Sequence, residues 1–279
     1  LGAGQSIQEM RTSMERIEDV MEYPEDANFK KEDAVSDEVD YDKLTGNIEM
    51  KNVTFGYSRL ASPLIENFNL SMKPGSRIAL VGGSGCGKST LSKLISGLYL
   101  PWSGEILFDG KKRSEIDKNV FTGSVAVVDQ DIILFEDTIR NNIKMWDKSI
   151  EDFEMIMAAR DAQIHEDIMA RDGGYDYKLI EGGRNFSGGQ RQRLEIARVL
   201  AQDPTIIIMD EATSALDAKT EYEVVKAIKD RGITCIVIAH RLSTIRDSDE
   251  IVVLDHGKVV ERGTHEELYA KGGYYTELV

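Results

Sequence analysis

The stretch RIALVGGSGCGKST, residues 77–90, narrows the folds open to this chain more than any other. RIALV reads as a short buried strand, and Leu91, Leu94, Ile95 and Leu98 beyond the glycines mark one face of a helix. Between them Gly82, Gly87, Lys88 and Ser89 satisfy the spacing G-x-x-x-x-G-K-[ST] of a phosphate-binding loop. Glycines there let backbone N–H groups converge on phosphate oxygens at the positive end of the helix dipole. Lys88 is placed to reach β- and γ-phosphates, and the Ser89 hydroxyl to coordinate Mg²⁺.

A second element, IIIMDE at 206–211, is an apolar strand ending in two acids. Ligands of doubly wound sheets bind at the carboxyl ends of the strands, so Asp210 and Glu211 should share an edge with the phosphate loop. Neighbouring strand residues point to opposite faces, which divides their tasks. Asp210 suits the Mg²⁺ shell, and Glu211 can orient or deprotonate an attacking water. Two acids after a strand are commonly helix-capping charge; the phosphate loop is what makes the catalytic reading the better one. Gln130 after SVAVV and His240 after TCIVIA are polar groups at the ends of two further strands, although a histidine there is more often structural. Tyr57 is core by default and otherwise a platform for a base. No Asn-Lys-x-Asp is present to read guanine.

The last third alternates helix 187–202, strand TIIIM, helix 217–229 and strand TCIVIA, then closes in the hairpin EIVVLDHGKVVERG. Together with strand-like IEMKNVTF and PLIENFNLSM, this predicts an α/β fold: a P-loop NTPase core with a mostly parallel sheet and antiparallel edges. The segment 149–170 reads as one long charged helix. A net charge of −15 argues against nucleic-acid partners, which need cationic surfaces. Residues 1–43 carry thirteen acids against five bases, which is −8 of that total. Ile7, Met10, Met14, Ile17 and Met21 form a narrow helical seam ahead of that acidic linker. Cys86 and Cys235 have no metal-ligand spacing and fit a reducing compartment, and no apolar run reaches bilayer length. The first residue is not Met, so a piece of a longer chain is expected.

On these motifs and their order, residues 48–279 resemble the nucleotide-binding domain of ABC transporters. GGSGCGKST (Gly82, Gly83, Ser84, Gly85, Cys86, Gly87, Lys88, Ser89 and Thr90) resembles its Walker A loop, and IIIMDE its Walker B strand with the catalytic Glu211. VVDQ resembles the Q-loop, SALD with Asp217 the D-loop, and IAHRLST the switch loop that carries His240. NFSGGQ resembles the LSGGQ motif, with Ser187, Gly188, Gly189 and Gln190, and Tyr57 falls where the family stacks an aromatic ring on adenine. The resemblance implies ATP and Mg²⁺ as ligands, with Ser89, Gln130 and Asp210 around the metal and Glu211, His240 and Gln130 as the catalytic set. It also implies an N-terminal antiparallel β subdomain, and a helical subdomain at about 131–202 that carries SGGQ. Family members pair head to tail, so SGGQ of one copy closes on the ATP held by the other. That pairing accounts for two phosphate cradles beside a single Asp-Glu pair.

Within the family the chain resembles exporters. Residues 1–23 are then a helix continuing from a transmembrane domain, 24–46 an acidic linker and 47–279 the ATPase domain, at the cytoplasmic face of the membrane. The expected partners are that transmembrane domain and a second, identical nucleotide-binding domain joined in the presence of ATP. IEGGRNFSGGQRQRLEIARVL is most similar to bacterial peptide and bacteriocin exporters of the lanthipeptide type. Phe186 replaces the usual Leu before SGGQ, and Ile180, Glu181, Gly182 and Gly183 stand where exporters often have G-E-R-G. A soluble ABC-type ATPase acting on DNA or ribosomes is the alternative, disfavoured by the acidic charge and the helical seam. Intact Lys88, Asp210, Glu211 and His240 speak against a non-catalytic nucleotide-gated module.

Overall fold

The computed structural model describes residues 42–83, 87–239 and 241–279. The helix expected at 1–23, most of the segment 24–46, and Ser84, Gly85, Cys86 and His240 lie outside the described residues.

A six-stranded sheet forms the centre, in the order β10 (Lys258–Gly263), β9 (Glu250–Asp255), β3 (Arg77–Gly82), β8 (Thr234–Ile238), β7 (Ile206–Asp210), β6 (Val125–Val128). Every pair is parallel except the β9–β10 hairpin at one edge. The side-chain period of two sorts its residues onto two cores. Ile78, Leu80, Ile206, Ile208, Ile236, Ile238, Val252 and Leu254 face one way, with Leu91, Leu94 and Ile95 of α1 (Lys88–Ile95). The antiparallel sheet β2–β1–β4–β5 packs on that side through Ile48, Met50, Ile65 and Phe68. Its strands are β1 (Ile48–Phe55), β2 (Ile65–Met72), β4 (Ser103–Phe108) and β5 (Lys111–Lys112). The alternate residues Ala79, Val81, Ile207, Met209, Cys235, Val237, Ile251 and Val253 face the helices. Burial on both faces is what a parallel sheet requires, and it explains the apolar runs RIALV, IIIM and TCIVI.

The helical subdomain comprises α3 (Ile139–Lys144), α4 (Asp152–Asp161), α5 (His165–Met169) and α6 (Gly188–Ala201), and α2 (Lys118–Ser124) leads into β6. The single helix expected over 149–170 is two. Gln163 takes φ +61° between α4 and α5, a left-handed conformation that ends a helix. The side chain of Arg193 on α6 holds the break, bonding Gln163 O and pairing with Asp167 at 2.7 Å. After β7 come α7 (Ala218–Asp230), the short α8 (Leu242–Ile245) and, beyond the hairpin, α9 (His265–Lys271) and α10 (Tyr274–Leu278).

Residues 43–46, assigned by composition to the linker, are anchored to the domain. Leu44 is buried and its N–H donates to Ser124 Oγ at 2.9 Å, while Thr234 Oγ1 donates to Gly46 O at 2.8 Å.

The β9–β10 turn docks the central sheet on the antiparallel one. Gly257 sits at φ +78°, and its carbonyl accepts from Glu66 N at 3.1 Å. A Cβ there would lie 1.8 Å from Leu64 O. Gly257→Ala is expected to destabilise the protein by about 1–3 kcal/mol, through overpacking against backbone at a left-handed position. Urea unfolding checks this, and an unchanged midpoint would show that the hairpin does not need to approach so closely.

Candidate functional site

Three strand ends converge on one sheet edge. At β3, Gly87 has φ +102°, and a Cβ on it would lie 2.5 Å from Ile65 Cδ1 and 3.3 Å from Leu64 O. Only glycine fits there, so the loop's closing glycine also seats α1 against the antiparallel sheet. Lys88 is 7% exposed, and its Nζ donates to Gly82 O at 2.8 Å, across the mouth of the loop.

β7 brings its acids to the same edge. Ser89 stands beside the Asp210 carboxylate, so the first turn of α1 and the end of β7 meet. Burial, and then the charge on Glu211, push the Asp210 carboxyl above its ordinary range, against the opposing influence of Ser89 and Lys88. Glu211 leaves the strand at φ +55° while its N–H still bonds Ile238 O at 2.9 Å. That kink, rather than simple strand alternation, separates the two acids. Gln130, just past β6, donates from Nε2 to Glu211 Oε2 at 2.9 Å. Ser89, Asp210, Glu211 and Gln130 thus lie together at one sheet edge.

Ser89, Asp210 and Gln130 offer only oxygen donors toward a cation, a set that suits Mg²⁺. Among the described residues there is no group of three or more His, Cys, Asp or Glu able to hold a metal. A single carboxylate and a hydroxyl fit an ion that takes its remaining ligands from phosphate and water.

Tyr57 is 60% exposed rather than core. It stands edge-on to Phe55 (5.5 Å, 81°) and Tyr99 (5.4 Å, 89°), which stack on each other at 5.3 Å. Tyr99 is a neighbour that sequence reasoning missed, because nothing in GLYL separates it from core.

The second cradle lies elsewhere. Ser187 caps α6: its Oγ accepts from Gln190 N at 3.2 Å, and its N–H donates to Gln190 Oε1 at 2.9 Å. Gly189 leaves room for Ala215 O, which would lie 3.0 Å from a Cβ there. Among the described residues no hydrogen bond joins 187–190 to the loop 82–90. Asp217 caps α7 by accepting from Thr220 N at 2.8 Å.

The loop between β7 and α7 is latched from two sides that the sequence did not reveal. Gln192 donates to Ser214 Oγ at 3.0 Å and accepts from Ala215 N at 2.9 Å. Arg241 bonds Ser214 O at 2.9 Å and also Leu216 O. Arg241 is in turn held by Glu221, a carboxylate 1% exposed that also accepts from Ser243 and Thr244. The loop 131–138 is fixed in a similar way. Arg198 donates to Ile133 O at 2.7 Å, Asn142 pairs with the backbone of Phe135, and Gly183 has Leu134 against it where a Cβ would fall.

Residues 65–214 match the family model described as ABC transporter. The chain is 43% identical over 239 residues to an ATP-dependent lipid A-core flippase of Alcanivorax borkumensis, covering 85% of this chain and 41% of the relative. It is 44% identical over 237 residues to a putative multidrug export ATP-binding/permease protein of Staphylococcus aureus, covering 84% and 41%. A sophorolipid transporter of Starmerella bombicola is 44% identical over 246 residues, covering 85% and 19%. Among solved structures, a bacterial Atm1-family ABC exporter with ATP bound superposes with a TM-score of 0.78 at 38% identity, over 88% of this chain and 43% of that one. The chain thus spans about two fifths of the length of the flippase and the multidrug relative.

Gln192→Leu keeps most of the side-chain volume and removes both latch bonds. It is expected to cost about 0.5–1.5 kcal/mol per bond lost and to speed hydrogen exchange at Ala215. Wild-type exchange at Ala215 in that variant would show that the latch carries no weight.

Proposed function

The chain belongs to the ABC transporter family and is an ATP-hydrolysing domain of the exporter type, and on that premise we propose that it drives export through a transmembrane domain at the cytoplasmic face of a membrane. The observation that carries the catalytic reading is the meeting of Ser89, Asp210, Glu211 and Gln130 at one sheet edge, with Gln130 hydrogen-bonded to Glu211. No helix among the described residues is long and apolar enough to cross a bilayer. Membrane attachment is assigned to the transmembrane domain, with residues 1–23 as the connecting helix, 24–46 as a linker whose last residues are held by the domain, and 47–279 as the ATPase. The loops 131–135 and 180–183, packed together through Leu134 and Gly183, expose Ile133 and Ile180 as apolar contacts for that domain.

In the proposed cycle Gly82 to Thr90 cradle the ATP phosphates and Tyr57 stacks on the adenine. Lys88 Nζ exchanges Gly82 O for β- and γ-phosphate oxygens. Mg²⁺, when held by Ser89, Asp210 and Gln130, neutralises developing charge on the phosphates. Glu211 accepts a proton from the water that attacks the γ-phosphorus. The P–O bond to the β-phosphate breaks, leaving ADP and inorganic phosphate, and His240 completes the γ-phosphate contacts. The Gln130 amide holds Glu211 Oε2 at 2.9 Å, so that bond must open before this oxygen can take the proton of the water.

Two copies are proposed to close on ATP head to tail, with Ser187, Gly188, Gly189 and Gln190 of one over the γ-phosphate of the other and Asp217 at the seam. The separate capping of Ser187 and Gln190 by each other supports this, since it forms the second cradle within α6 itself. The relatives described above are named for lipid A-core, multidrug and sophorolipid transport. None of those names supports the peptide cargo suggested by residues 180–200, and export is the level at which the reading stands.

Glu211→Gln is expected to keep ATP binding while lowering turnover by about 10²–10⁴-fold, because an amide cannot take the proton. Turnover at the wild-type rate would remove Glu211 from its role. In the same variant, ATP with Mg²⁺ should shift the sedimentation coefficient from monomer to dimer, and Ser187→Arg should reverse the shift. A dimer that forms equally without ATP, or that Ser187→Arg leaves intact, would overturn the shared-site arrangement.

A further inference from the structure

A cleft of about 580 Å³ lies between α7, the segment 243–248 and the start of α9, and it shares no residue with the catalytic set. Arg77, Lys226, Lys229 and Arg246 line it, and none of the four forms an ion pair among the described residues. Arg77 is 6% exposed and Ser248 5%, and Arg77 Nε and Ser248 Oγ are buried with no hydrogen-bond partner. Orphaned buried donors are rare and costly, and a buried guanidinium without a counter-charge more so.

The nearby acids do not answer that charge. Asp249 spends a carboxylate oxygen on the Arg77 backbone N–H, at 2.8 Å. Glu221 is filled by Arg241, Ser243 and Thr244. Asp247 and Glu266 are exposed, and Asp249 keeps its charge because its donor is a neutral N–H, so three acids stand near four cations. The remaining positive charge, with a buried guanidinium and a hydroxyl at the wall, matches the several oxygens of a phosphate group.

We propose that this cleft is a binding site for a phosphate-bearing ligand, separate from the ATP site, held by Arg77 and Ser248 at its wall and by Lys226, Lys229 and Arg246 at its mouth. Its occupancy is tied to the catalytic loop by bonds already present. Glu221, Ser243 and Thr244 belong to the cleft wall, and Glu221 holds Arg241, which bonds Ser214 O and Leu216 O. A ligand that orders 243–248 therefore also steadies the segment that follows the two catalytic acids.

Inorganic pyrophosphate titrated into the ¹⁵N-labelled chain tests the site, because the amides of Ser243, Ser248 and Thr264 report the cleft while Gly87, Lys88 and Ser89 report the ATP loop. Saturable shifts are expected in both groups. Lys226→Gln with Lys229→Gln, both on the surface, should weaken the cleft response about tenfold and leave the loop response unchanged. Arg77→Gln should abolish the cleft response, and its loop response shows whether the variant is folded. Flotation with phosphatidylglycerol or phosphatidylcholine vesicles identifies the source of the phosphate. Co-flotation with phosphatidylglycerol alone, lost in the double-lysine variant, assigns a lipid headgroup, and pyrophosphate binding without flotation assigns a free oxyanion. Pyrophosphate shifts confined to Gly87–Ser89, or cleft shifts equal in wild type and the double-lysine variant, would overturn the proposal.

Discussion

Burial of both faces of the parallel sheet is the constraint on which the remaining structure rests. Strands β3, β7, β8 and β9 each send alternate residues to opposite cores, so neither face can be left to solvent. One face takes the antiparallel sheet together with α1, and the other takes the helical subdomain. The strands then end in step, with Asp210 opposite Ile238 and Gly82 opposite Leu254. Functional groups carried just past those ends are brought to one edge without any interaction among themselves. The bond between Gln130 and Glu211 refines a convergence that apolar packing has already made.

Electrostatics adds a second layer. Asp210 and Glu211 are consecutive acids at a partly buried edge, and burial, then the charge on Glu211, raises the Asp210 carboxyl. Two devices limit the cost. The left-handed turn at Glu211 carries its carboxylate off the strand, and Gln130 supplies it with a hydrogen-bond donor. A divalent cation held beside Asp210 would offset the repulsion that remains.

Local features were legible in the sequence and long-range polar ones were not. Period-two apolar runs marked the central strands, and the spacing of Gly82, Gly87 and Lys88 marked the loop, because each depends on residues close in the chain. The edge position of Gln130 followed from counting strand ends. The break at Gln163 escaped because a left-handed glutamine carries no composition signal, and its partner Arg193 lies thirty residues away. Anchoring of 43–46 escaped because Ser124 and Thr234, which hold it, are 80 and 188 residues distant. Gln192, Arg241 and Glu221 likewise look like ordinary polar helix or loop residues until the fold brings them to the loop 214–216.

The capping box at the head of α6 has a thermodynamic consequence. The Ser187 hydroxyl and the Gln190 side chain already satisfy each other's backbone groups. A phosphate that recruits either one must displace an existing bond, so its gain is the difference between two hydrogen bonds and not a full one. A receptor finished before its ligand arrives needs no folding to bind and keeps its shape when the ligand leaves. Such a contact is shallow by construction. It can form and dissolve in every round of a cycle without becoming a trap.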